Sequence, residues 1–427
     1  MRTENNTKEF GGYRAAIGLA ILMFIHMGIN GTVAVFLAPI AEGIGVEVAD
    51  LSIMISFSTA SAAICGMTVA GPIIGKLGFK KSFYLATAIF ALKYIHYAYA
   101  TNLWEFYLGS AYGGFAMTIG TTSACNALLG RWFIEKREQV TAIVLGIFSV
   151  GRALFQSLSG YLITYFGYSD AYKIEVVILL VFAGGANFFL LRTPEQLGQQ
   201  ALGADKQVTN ASGEKTSVAQ IGLTLKEALK TSSFWLLFLG TAVASTGTGF
   251  LINYRSIFMT IYGIDTITAA NYVSMATLFG SVAVFASGFI MPKMKSKELY
   301  ISILYGSAVV GGLLMGFLGT GASLLIIGIG LALIAIYTPA GTTLPPNLAG
   351  IAFGNKEYGK ILVYLISATY LGGCISPLIA SVLMGGGTTI AEVFIIGSVV
   401  TIVGVVLTVV GTLSSPMAKQ RKAQSKS

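Results

Sequence analysis

The sequence predicts an all-α membrane protein of twelve transmembrane helices in two pseudo-symmetric six-helix bundles, and three observations lead there. Of the 427 residues, 55% are hydrophobic and 11% are charged, under half of the roughly 25% charged share of a soluble domain. The apolar residues form runs long enough to cross a hydrocarbon core about 30 Å thick, which takes roughly 20 residues of helix. These runs are evenly spaced except for one sizeable polar segment, residues 192–225. The same composition excludes a disordered chain, and three Cys in a chain of this length exclude a disulfide scaffold. Continuous apolar runs are also the opposite of the short alternating strands of a β-barrel.

Spans 1 to 6 are expected near 14–40, 50–75, 82–101, 106–129, 139–163 and 174–191. Spans 7 to 12 are expected near 233–262, 267–291, 299–319, 322–349, 359–384 and 390–412. The expected domains are a first bundle at 1–192, a cytoplasmic linker at 193–232, a second bundle at 233–412 and a basic cytoplasmic tail at 413–427. The opening MRTENNTKEF is polar, and span 1 lacks a small-residue cleavage site, so it reads as a retained helix. With both termini in the cytoplasm, 23 of the 27 Lys and Arg lie on that side. The positive-inside rule then sets the orientation in a cell (inner) membrane, and the net charge of +9 calls for no nucleic-acid partner. Four cations are left over: Lys93, Arg152, Lys173 and Arg255.

The chain repeats itself at a separation of about 220 residues. Thr121–Asn126 (TTSACN), near the end of span 4, answers to Thr342–Asn347 (TTLPPN) near the end of span 10, and a short charged loop follows each. Spans 1 and 7 end alike, in Glu42–Val46 (EGIGV) and Ile261–Asp265 (IYGID). Two parallel halves joined by a polar linker are the plan of transporters whose site lies at the repeat interface. The small alphabet of membrane helices would also produce such matches by chance.

Residues 71–81, GPIIGKLGFKK, lie between spans 2 and 3. They resemble the loop signature of the major facilitator superfamily, G-x-x-x-D-R-x-G-R-R, through Gly71, Lys76, Gly78 and Lys80. Gly75 stands where that family usually has Asp and Phe79 where it has Arg, so the turn is kept while the usual charge lock is in doubt. The second-half copy, GFIMPKMK from Gly288, is more decayed. Three further segments are similar to the branch that holds oxalate/formate antiporters and monocarboxylate transporters: NALLGRWFIEKR from Asn126, TPEQLG from Thr193 and LKEALKTSSFW from Leu225. The resemblance implies the major facilitator fold, transport by alternating access rather than enzymatic activity, and a small organic anion as substrate. It also implies a central cavity lined by spans 1, 4, 7 and 10 with 2, 5, 8 and 11. In the oxalate/formate antiporters the charged substrate contacts come from an Arg in span 8 and a Lys in span 11. Here span 8 has neither Lys nor Arg, and span 11 has only Lys360 at its start, which argues against oxalate itself.

Ionisable residues deep in a span are costly and mark candidate sites. Arg152, about 13 residues into span 5, is too deep to snorkel; it grips a substrate carboxylate or braces backbone carbonyls. Lys93 in span 3, with His96 and three Tyr around it, either supplies positive potential or snorkels. Arg255, toward the outer end of span 7, admits anions or meets headgroups, whereas Lys173 reads as an interface anchor. His26 and Asn30 share a face of span 1 and are expected to orient substrate, the alternative being a packing role. Asn126 and Asn347 are open to the same two readings. No carboxylate is expected mid-membrane, with Glu175 placed at the outer mouth of span 6, and this favours a net positive, anion-binding site. Cys65, Cys125 and Cys374 have no metal spacing, and no cofactor or metal site is expected.

Pairs such as Gly146 with Gly151 and Gly280 with Gly288 suit close helix packing. Pro345 and Pro346 interrupt span 10 and make it a candidate gate, or a static kink. The expected partners are the small organic anion, protons or a counter-anion, and the lipid bilayer, with the protein functional as a monomer. The competing expectations are a proton-coupled symporter of a larger aromatic or amphipathic acid, an efflux pump for neutral or cationic compounds, and a membrane sensor.

Overall fold

The computed structural model describes residues 10–204, 207–209, 215–217, 221–255, 258–259, 263–264, 266–318 and 323–424. Arg2, Lys8, Lys206, Lys426 and most of Ile261–Asp265 lie outside these residues. Among the described residues, nine helical stretches are long and apolar enough to cross a membrane. Two of them are double. Asp50–Tyr99 reverses at Gly78 (φ 75°, ψ 164°) and Arg137–Leu190 reverses at Gly167 (φ 77°, ψ 164°). A positive φ costs a glycine little, so one residue turns each helix back on itself. Span 4, Leu103–Gly120 and Thr122–Trp132 broken at Thr121, completes the twelve. In the linker, Gln207–Thr209 pairs antiparallel with Lys215–Ser217.

The turn at Gly167 corrects the expected boundary of span 6. Tyr168 to Lys173 are polar enough to read as a loop, yet they already belong to the helix. Glu175 therefore lies eight residues, roughly 12 Å, along the helix from the turn rather than at its mouth, and it is fully buried.

Each half has its own apolar core. The first includes Phe36, Phe83, Phe90, Phe106 and Trp132; the second includes Phe234, Tyr305, Phe353 and Phe394; Tyr370 packs against both. Lipid tails are as apolar as Leu, so close helix contact depends on small residues. A Cβ on Gly247 or Gly404 would strike backbone across the interface of spans 7 and 12. Gly146 against Phe285 and Gly288 against Ala142 seat span 5 of the first half on span 8 of the second.

The repeat reaches into the backbone. Gly45 (φ 70°) and Gly263 (φ 79°) are both left-handed, and the next N–H returns to a carbonyl five residues back in each case, Val46 to Ala41 and Ile264 to Met259, both at 3.0 Å. Spans 1, 4, 7 and 10 share a further property: each is interrupted. Span 1 stops at Asn30 and resumes at Val33, span 4 breaks at Thr121, span 7 leaves its helix at Tyr254, and span 10 breaks at Tyr337 and Thr343.

The halves lock together at the face that carries the linker. The Arg137 guanidinium lies 4.1 Å from the centre of the Tyr358 ring and donates to Asn355 Oδ1 at 2.9 Å. Positions 137 and 358 are equivalent in the two repeats, by the same offset that relates Asn126 to Asn347. Each packs on a glycine of the opposite half, Tyr358 on Gly130 of span 4 and Arg137 on Gly350 of span 10. The linker repeats the symmetry: Leu202 bridges Phe133, and Gly222 bridges the equivalent Gly354. Glu357 adds a further tie by accepting the Leu225 N–H at 2.7 Å. The hydrogen bonds from Lys360 and from that N–H hold the Glu357 carboxyl below the usual range.

Cys125, buried on span 4 beside Tyr358, reports on this latch. With Cys65→Ser and Cys374→Ser in place, Tyr358→Ala is expected to speed labelling of Cys125 by an impermeant maleimide about tenfold. That is the loss of a desolvated cation–π contact of about 1–2 kcal/mol. Tyr358→Phe keeps the ring and is expected to label at the parent rate.

Candidate functional site

Arg152 stands at the midpoint of span 5, fifteen residues from both Arg137 and the turn at Gly167, roughly 22 Å from either end. Its side chain is exposed, and the guanidinium of Arg255 from the second half lies within electrostatic reach of it. It fits there because span 1 breaks beside it and the break carries a glycine: a Cβ on Gly31 would come within 2.9 Å of Arg152 Nε. One turn further along span 5, Gln156 Nε2 donates to the Gly31 carbonyl at 3.1 Å. A carbonyl freed by the break is thereby satisfied inside the protein.

Arg255 comes from the second half, just past the point where span 7 leaves its helix. Its Nε donates to the Ile252 carbonyl at 3.0 Å. It lies near enough to Arg152 for the two positive charges to repel. Among the described residues, neither guanidinium forms an ion pair with a carboxylate. Two cations from opposite halves thus meet unneutralised, each beside an interrupted helix, and an anion between them would remove the repulsion.

The other sequence candidates divide differently. Lys93 is 2% exposed, donates to Asn30 Oδ1 at 2.8 Å, and lies over the rings of Tyr94 and Tyr97 at 4.9 and 5.4 Å. It neither snorkels nor faces the cavity. Within electrostatic reach of it is Glu175, whose Oε1 accepts from Ser159 at 2.5 Å and whose Oε2 has no hydrogen-bond partner. The expectation of a first half without a mid-membrane carboxylate is overturned: Lys93, Asn30 and Glu175 form a buried polar cluster inside the bundle. Asn30, half-buried, joins this cluster to the break at Gly31.

His26 is 1% exposed and holds the break in span 4: its Nδ1 donates to the Gly120 carbonyl at 2.9 Å, and its Nε2 meets Thr87 Oγ1 at 3.0 Å. It is a brace in this state, with no open edge toward the cavity. Asn126 and Asn347 are also buried, on Thr122 O and Met291 Sδ. Of the gating candidates, Gly71, Lys76 and Gly78 are exposed at the linker face, and Lys80 ties its loop to span 6 through the Phe188 carbonyl at 3.0 Å. Pro345 and Pro346 are buried in the first turn of Leu344–Phe353, where a missing N–H is no loss. Sequence alone does not single out Glu175, Gln156 or the Arg137–Tyr358 pair. The repeat offset relates the two members of that pair and is the signal that points to them.

The cluster makes a stability prediction. Lys93→Ala removes the donor to Asn30 Oδ1, which loses its short hydrogen bond inside the bundle, and is expected to cost about 1–3 kcal/mol. Lys93→Ala combined with Asn30→Ala is expected to cost less than the sum of the two single changes, because they share one hydrogen bond. Thermal melting of the purified protein checks both.

Comparison with known proteins now bears on this geometry. The chain is similar in fold to the human organic anion transporter MFSD10 (TETRAN), with a TM-score of 0.69 and 16% identity over 93% of this chain and 99% of that one. It is similarly close to a structure of the E. coli fucose:proton symporter FucP, with a TM-score of 0.68 and 16% identity over 92% and 97%. No curated protein sequence matches it. The family model of the Major Facilitator Superfamily matches residues 19–355, and the chain belongs to that superfamily.

Proposed function

We propose that the protein carries a small organic anion across the membrane by alternating access, with the substrate carboxylate held between Arg152 and Arg255. The observation that carries this reading is the approach of two unneutralised guanidiniums from opposite halves, beside the breaks in spans 1 and 7. A guanidinium presents a planar fork that matches a carboxylate and keeps its charge in any environment, whereas an ammonium is a point charge. A carboxylate between the two draws the halves together at the membrane centre. Continued access then requires the Arg137–Tyr358 latch to release at the linker face. Lys93 and His26 act behind the site by holding Asn30 and the break in span 4. Efflux of cations fits poorly, because a cation would enter a site that already carries two positive charges. The fold likeness to an organic anion transporter agrees with this reading without carrying it.

The positive-inside count supports a cytoplasmic linker and cytoplasmic termini in a cell (inner) membrane, and the proposed working unit is the monomer. One observation favours proton coupling as a second reading: Glu175 is a buried carboxyl with an unpartnered oxygen, linked through Lys93 and Asn30 toward Arg152. In that case the proton site is Glu175 rather than His26, and Glu175→Gln is expected to leave exchange of the anion intact while abolishing its acceleration by a proton gradient.

The first reading is tested by thermal shift of the purified protein against a panel of mono- and dicarboxylates, since a ligand stabilises the state it binds. At least one acid is expected to raise the melting temperature. Arg152→Ala and Arg255→Ala are each expected to cost about 2–5 kcal/mol of that binding, and Arg152→Lys is expected to retain part of it. Stabilisation by organic cations but by no acid would sink the anion reading.

A further inference from the structure

A second cavity, of about 1230 Å³, lies at the linker face between the end of span 2 and the start of span 11. Its mouth is basic. Lys80, Lys81 and Arg131 reach it from the first half, Lys356 and Lys360 from the second, against the single carboxylate of Glu357. Arg131 is committed to Glu195 at 3.3 Å and Lys360 to Glu357. Among the described residues, Lys80, Lys81 and Lys356 form no ion pair. Lys80 also lies near enough to Arg192 to be repelled by it.

Above the mouth the wall turns apolar, with Met67, Ile74, Leu77 and Val363. The groove follows span 2 from Gly78 back to Gly66, twelve residues or roughly 18 Å toward the membrane centre. Gly71 and Gly75, one helical turn apart, line it with open space, and no atom lies within 4 Å of where a Cβ would stand on either. The glycine pairs of the same spacing in spans 4 and 9 are covered by neighbouring helices, Gly109 and Gly113 by Tyr97 and Lys93 of span 3, and Gly312 and Gly316 by Ser398 and Ile395 of span 12. Here the protein supplies no such cover.

We propose that this groove is a binding site for one anionic phospholipid of the cytoplasmic leaflet, its phosphate among Lys80, Lys81 and Lys356 and an acyl chain along Gly71 and Gly75. Basic pockets between membrane helices on the cytoplasmic side suit such headgroups. A free phosphate would fill the mouth alone and leave the apolar length uncovered. The phosphate draws together cations of both halves beside Arg137 and Tyr358, so the bound lipid favours the state in which the linker face is closed. The proposal uses the cytoplasmic placement of the linker face and is independent of the transported substrate.

The test uses the full chain in neutral phosphatidylcholine nanodiscs, titrated with dioleoylphosphatidylglycerol in one arm and with soluble glycerol phosphate in the other, with no carboxylate present. Phosphatidylglycerol is expected to raise the melting temperature saturably, and glycerol phosphate is expected to leave it unchanged. Each cation near the surface contributes roughly a fivefold factor in anionic-lipid affinity, so K80Q/K81Q/K356Q is expected to weaken the effect about a hundredfold. Gly75→Leu fills the groove without touching a charge; it is expected to melt like the parent in neutral lipid and to lose the response. The control K293Q/K295Q/K297Q, elsewhere on the same face, is expected to respond like the parent. An equal shift with glycerol phosphate, an equal loss in the control triple, or an undiminished response in Gly75→Leu would overturn the proposal.

Discussion

A helix can be interrupted inside a membrane only where the protein itself satisfies the backbone groups that the interruption frees. The four inner spans of this chain are all interrupted, and most of the buried polar side chains that look anomalous in the sequence sit at those points. Gln156 takes the Gly31 carbonyl at the break in span 1. His26 takes the Gly120 carbonyl at the break in span 4, and the Tyr370 hydroxyl reaches Thr121 and Thr122 from the opposite half. Arg255 takes the Ile252 carbonyl where span 7 ends. The requirement that makes intramembrane polarity expensive thus concentrates it around the centre. Arg152 differs in that its guanidinium takes no such carbonyl among the described residues.

The two halves are related closely enough that equivalent residues meet. Arg137 and Tyr358 are the same position of the repeat, and so are Phe133 and Gly354, which receive opposite ends of the linker. A contact between equivalent positions lies on the pseudo-two-fold axis, where any rocking of one half against the other must act on it. The loop between spans 2 and 3 has Gly75 rather than an acid, and its Lys80 donates one bond within the first half to the Phe188 carbonyl. The contact between the halves at this face is made instead by the loops after spans 4 and 10, where Arg137 lies over the Tyr358 ring.

The twelve spans and the position of Arg152 are legible in the sequence because both rest on single-residue properties, hydropathy and charge. Span 6 begins earlier than expected because Tyr168, Asp170 and Lys173 read as a loop, whereas one glycine at 167 makes the entire reversal. That shift of two turns carries Glu175 from the surface into the core and with it the cluster around Lys93. The break at Thr121 has no proline to announce it and depends on His26 and Tyr370, which come from spans 1 and 11. Pro345 and Pro346, conspicuous in the sequence, stand in the first turn after the break at Thr343, as an interruption of span 10 requires. What stays hidden is in each case a tertiary partnership, which no local pattern encodes.

Placing like charges across the central interface also gives the resting state a bias. Arg152 and Arg255 lie within electrostatic reach of each other, and like charges about 8–16 Å apart at an effective dielectric of about 20 repel by about 1–2 kcal/mol. The Arg137–Tyr358 contact that closes the linker face is of similar size when desolvated, about 1–2 kcal/mol. Repulsion at the centre and attraction at one face together favour halves that are hinged shut at the linker side and spread beyond it. In the proposed anion carrier, a substrate between Arg152 and Arg255 would reverse the first term and leave the second intact. Its binding energy then acts on the balance between the two faces, which neither term alone is large enough to hold fixed. A carrier needs such near-degeneracy: a central pair worth many times the latch would trap the anion, and a much stronger latch would keep the linker face shut whatever was bound.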